Sequence, residues 1–208
     1  MESNWAAEHL QVIRTLMERT AVYRRALAPV ALMIGILGLL AGAIGWIWSL
    51  NSSRAFGVFW LLVSMVGLGL AMLMVRRQAL RAAEPFWSPP MRRVTQAMLP
   101  AMLAGLMSVL LLVAPSWRDP LQAWWLPAAW MVWYGCALHA AGFFMPRGIK
   151  LLGWLFVLAG CGLAGLLTCF AGVPPLRMAH GVMGAVFGGL HLAYGIYLYV
   201  TERGQGPA

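Results

Sequence analysis

Two short runs, GCALHAAG at residues 135–142 and GGLHLAYG at residues 188–195, each set a Leu-His pair inside an apolar stretch. Gly135 and Gly142 stand four before and three after His139; Gly188 and Gly195 stand three before and four after His191. On a helix these spacings put a hydrogen side chain above and below each imidazole, on its own face. Three chemistries use such a histidine. Two neutral imidazoles facing one another across a slot would ligate a haem b, with glycine letting the macrocycle press on backbone. Cys136 shares a helix face with His139, and with His191, and Cys161 as a fourth donor, it would suit zinc or copper. The structural reading is simpler: each histidine hydrogen-bonds a carbonyl of an adjacent helix.

The elements that must position these side chains are strongly apolar. The chain has 208 residues, 62% hydrophobic and 10% charged, with mean hydropathy +0.76. A soluble domain carries far more charge, so the composition points to a bilayer. A helical crossing needs about 20 apolar residues. Six stretches without Asp, Glu, Lys or Arg reach that length, at roughly 26–50, 55–75, 94–114, 121–145, 151–171 and 178–200. The expected fold is all-α, a polytopic six-helix transmembrane bundle over 26–200 with an amphipathic N-terminal helix over 1–25 and a tail over 201–208. Continuous apolar runs exclude a β-barrel, whose strands alternate. The charged lead-in is too long for a signal peptide, so the first apolar helix is expected to stay in place. Cys136, Cys161 and Cys169 all fall in these spans and read as small apolar core residues.

Charge gives the expected orientation. Arg14, Arg19, Arg24, Arg25, Arg76, Arg77, Arg81, Arg92, Arg93, Arg147, Lys150 and Arg203 fall on one side of the six crossings; Arg54, Arg118 and Arg177 fall on the other. Twelve against three puts both termini in the cytoplasm of an inner-membrane protein. The net charge of +9 then serves topology and anionic headgroups, and nucleic acid is not an expected partner. In residues 4–25, Ala6, Leu10, Ile13, Met17 and Ala21 form an apolar stripe, which suits a helix lying on the inner leaflet or docked on a partner. The stretch 76–93, RRQALRAAEPFWSPPMRR, reads as the largest cytoplasmic loop, with Trp87 among its arginines. The N-terminal helix, this loop and the tail form the expected lipid or partner surface.

Glycine supplies the packing. Gly35, Gly38, Gly42 and Gly45 share one seam on the first span, and Gly181, Gly184, Gly188 and Gly195 share one on the last. Small seams are how helices associate where lipid removes the hydrophobic drive. With Gly160, Gly162 and Gly165 on the fifth span, helices 1, 5 and 6 read as one tightly packed unit.

No soluble catalytic signature is present, and no charged residue lies inside a span. Ion-coupled transport commonly places a carboxylate there. Ser64 and Ser108 lie in spans without a basic partner in their own helices. The functional expectation is a small, non-enzymatic structural or regulatory membrane component. Membrane lipid, a second copy or a soluble cytoplasmic protein is its expected partner, and no cofactor is expected. The alternatives are a haem b protein ligated by His139 and His191, then a transporter of an uncharged or hydrophobic solute.

Overall fold

The computed structural model describes residues 27–113, 120–145, 147–169 and 174–203. The expected amphipathic helix over 1–25 and the end of the tail lie outside these residues. All regular structure among the described residues is helical. Helix α1 (Leu27–Ile47) leads to α2 (Ser53–Arg81), α3 (Pro89–Val113), α4 (Pro120–Ala141) and α5 (Arg147–Cys169). The last rod is α6 (Leu176–Met183), a π-helical segment (Gly184–Gly188) and α7 (Gly189–Arg203). Five of these, namely α1, α2, α3, α5 and the last rod, are long and apolar enough to cross a bilayer.

Several boundaries differ from the sequence expectation. The 76–93 loop shrinks to residues 82–88, because α2 continues through Arg81 and α3 begins at Pro89. RRQALR holds only good helix formers, and paired prolines are tolerated in a first turn. Ala83, at φ 51°, closes α2 in the left-handed region, with its amide on the Leu80 carbonyl and the Glu84 amide on the Ala79 carbonyl. Arg76, Arg77 and Arg81 therefore stand on a helix end. Pro100 lies well inside α3, which starts five residues before the expected position 94. At its other end, α2 is capped by the Ser52 hydroxyl, which accepts from the Ala55 amide at 3.1 Å.

The packing unit also differs. An added Cβ at Gly38 would lie 2.9 Å from the Gly188 backbone; one at Gly42 would lie 2.7 Å from Gly184. Gly35 meets the Leu192 backbone and Gly195 that of Leu32, so α1 runs antiparallel to the last rod in backbone contact. Helix α5 instead joins α4. A Cβ at Gly135 would lie 2.6 Å from the Gly153 carbonyl, and one at Gly160 2.7 Å from that of Ala128. Gly162 and Gly165 meet nothing within 4 Å. The glycine contacts thus build two antiparallel helix pairs, α1 with the last rod and α4 with α5.

Burial ranks the elements. In the most apolar window, 39% of the last rod is buried, against 11% of α2 and of α3. Phe56, Trp60, Met131, Phe156 and Met183 fill the interior, while Leu62, Met65, Leu103, Met107, Leu151 and Leu158 face outward. The outward face is as apolar as the core, as a lipid-facing surface requires. Cys136, Cys161 and Cys169 lie on this exposed face, not in the core; beside the first two, Gly135 and Gly160 take the close contacts.

The close contacts predict a sharp contrast between glycines. Gly42→Val should destabilise the protein by about 1–3 kcal/mol. Gly69→Val, where nothing lies within 4 Å, should leave it unchanged. Thermal unfolding in detergent, followed by circular dichroism, reads both.

Candidate functional site: two imidazole bridges on the last rod

His180 is fully buried where α1, α2 and α6 meet. Gly45 on α1 makes room for it, since a Cβ there would run into its imidazole. Phe56 and Phe59 set their edges against the ring, and Trp60 stacks beside it. Trp60 Nε1–H donates to His180 Nδ1 at 3.1 Å. That bond fixes the tautomer, because indole only donates and Nδ1 must accept. Nε2 then carries the proton and donates to the Leu50 carbonyl at 3.3 Å.

His191, one segment later, follows the same rule. Its Nδ1 stands 2.7 Å from the Phe187 carbonyl, which only accepts, so Nδ1 bears the proton. Nε2 therefore accepts from the Tyr134 hydroxyl at 2.7 Å. Phe156 of α5 and Phe187 close around the Tyr134 and His191 rings. Each imidazole takes a hydrogen bond from an aromatic side chain of another helix and gives one to a carbonyl. His180 thereby joins the last rod to α2, and His191 joins it to α4.

The π segment separates these two directions. His191 follows His180 at a spacing of eleven residues. Eleven residues make three turns of regular helix and would put both rings on one face. The segment Gly184–Gly188 has a wider turn, which rotates His191 away from His180's face. Its glycines are also the seam residues that meet Gly38 and Gly42.

His139 is elsewhere. Its backbone packs on Gly153, and its ring lies against Phe143 and Trp154 at the α4–α5 hairpin. Its Nδ1 is buried without a hydrogen-bond partner. Lys150 lies along Gly142 and places Nζ 3.6 Å from the centre of the Phe143 ring. His139 and His191 share no ring or hydrogen-bond partner among the described residues. The glycines flanking them hold the backbone of α5, the backbone of α1 and the Lys150 stem. Among the described residues both His191 nitrogens are engaged by protein groups, and the clearings beside the two histidines are filled by protein. Cys136 is exposed, and no group of three or more metal-ligating side chains assembles among the described residues.

His180 lacks the glycines on both sides that single out His139 and His191 in the sequence. The available signal was Gly45, the one member of the α1 seam that faces a side chain instead of backbone. The hydroxyls of Ser64 and Ser108 bond carbonyls three residues back in their own helices, so neither is poised as a nucleophile.

Two measurements check this geometry. In a double-mutant cycle, Tyr134→Phe and His191→Phe should couple by roughly 0.6–1.7 kcal/mol, the range for hydrogen bonds between membrane helices. Additive effects would mean that the bond is absent. The purified protein should show no Soret band; one that disappears in His191→Ala would contradict the packing described. No family model, curated protein or solved structure matches this chain.

Proposed function

We propose that this chain is a six-crossing inner-membrane protein with both termini in the cytoplasm. It acts as a non-catalytic structural or regulatory component that presents a basic face to anionic lipid or a docked protein. Helix α4 supplies the sixth crossing. Its 22 residues carry no charged side chain and span about 33 Å at 1.5 Å per residue. Four tryptophans lower its hydropathy without making it polar at an interface.

One observation supports this reading above the others. Among the described residues, Arg54 and Arg177 stand at one end of the helices, with Arg177 over the Trp46 ring. Arg76, Arg77, Arg81, Arg92, Arg93, Arg147, Lys150 and Arg203 stand at the other. Such a bias marks the cytoplasmic side. Tryptophans follow it: Trp46, Trp48 and Trp125 are exposed at the sparsely charged end, and Trp87 at the basic end. The buried imidazoles, meanwhile, are occupied in holding helices together, which favours a structural role over a reactive one. The basic surface is then the part of the molecule free to meet something else.

Labelling in intact cells tests the orientation. Asn51→Cys should react with a membrane-impermeant maleimide from outside, and a tag on either terminus should become accessible only after permeabilisation. A tag reached from outside would overturn the reading.

A further inference from the structure

At the basic end, α1 and α2 leave a crevice of about 230 Å³ lined by Pro29, Met74, Arg77, Gln78 and Arg81. Arg77 and Arg81 are four residues apart and so share one face of the last turn of α2. Both side chains are exposed, and neither has an ion-pair partner among the described residues. Gln78 between them adds an amide that both donates and accepts. The remaining walls, Pro29 and Met74, are apolar, and Leu73 and Leu80 lie exposed on the same helix.

We propose that this crevice is a site for one anionic phospholipid, its phosphate held by Arg77 and Arg81 and its acyl chains running past Met74 onto the outer face of α2. The chemistry matches feature by feature. Guanidinium forks bind phosphate oxygens in paired, charge-assisted hydrogen bonds. Gln78 suits the ester or glycerol oxygens next to that phosphate. An apolar wall continuous with the lipid-facing surface suits a tail, which free phosphate lacks. Size decides how much of the lipid enters: drug-sized ligands occupy about 300–1,000 Å³. A smaller crevice takes the phosphate and glycerol and leaves the chains outside. This inference rests on the proposed membrane reading and narrows its broad basic face to one stoichiometric site.

The test is native mass spectrometry of the full chain in detergent, with phosphatidylglycerol, phosphatidylcholine or inorganic phosphate added. The wild type should retain one phosphatidylglycerol at least tenfold more strongly than phosphatidylcholine. The double variant Arg77→Gln/Arg81→Gln should lose that preference. Arg54→Gln/Arg177→Gln, which removes the same charge from the opposite end, should keep it. Arg77→Lys/Arg81→Lys keeps the charge without the fork and should show intermediate retention, which covers the case of a glutamine variant that does not fold. Equal retention of the two lipids, or retention unchanged by both arginine variants, overturns the proposal. Displacement of the lipid by millimolar inorganic phosphate also overturns it, because the site would then be one for a free anion. Orientation is read separately by Asn51→Cys labelling, so a lipid result and a topology result can fail independently.

Discussion

The contact between α1 and the last rod is made by backbone, and the positions of the other helices follow from it. Gly38 against Gly188 and Gly42 against Gly184 let two helices approach until no side chain separates them. In lipid there is no hydrophobic drive to bring helices together, so close dispersion contact must supply the attraction. That closeness brings α1 within reach of His180, whose ring needs the space at Gly45. Once seated, the ring takes the Trp60 bond and fixes α2, while the π segment presents His191 to Tyr134 and fixes α4. Phe156 then brings in α5. The last rod thus touches α1, α2, α4 and α5, and 39% of its most apolar window is buried.

The two imidazole bridges show how a membrane bundle uses polar side chains without charge. A lone imidazole in hydrocarbon leaves a donor and an acceptor unsatisfied, which costs free energy. Here His180 and His191 each satisfy both from protein groups, one an aromatic N–H or O–H and the other a carbonyl. Directionality gives what apolar packing lacks: it selects which helix lies beside which. Trp124, donating to the Pro174 carbonyl, and Trp130, donating to that of Gly105, extend the same device. Tryptophan is thus a connector inside this bundle as well as an anchor at its edge.

Much of this was legible in the residues, and the omissions have physical causes. Helical class and apolar spans follow from composition and run length, which depend on no tertiary contact. The seam on α1 could be read from the spacing of Gly35, Gly38, Gly42 and Gly45, since helical period alone gathers them on one face. Which helix would meet that face could not be read. The glycines at 160, 162 and 165 look alike in sequence, yet Gly160 is pressed on Ala128 and the other two face open space. The same gap applies to the histidines. Glycine beside His139 and His191 does clear a face, but a neighbouring helix or the Lys150 stem fills each clearing before a ligand can. His180 lacked a flanking pattern because its space is provided by Gly45, on another helix. The π segment was hidden too, as GAVFGG fits a regular helix equally well.

The most direct test of the central contact is solid-state NMR on the protein in lipid bilayers with its glycines labelled at Cα. The backbone contact predicts carbon–carbon cross-peaks between Gly38 and Gly188 and between Gly42 and Gly184. Cross-peaks from Gly38 or Gly42 to Gly160 or Gly162 in place of these would put α1 against α5 and contradict the arrangement on which the rest depends.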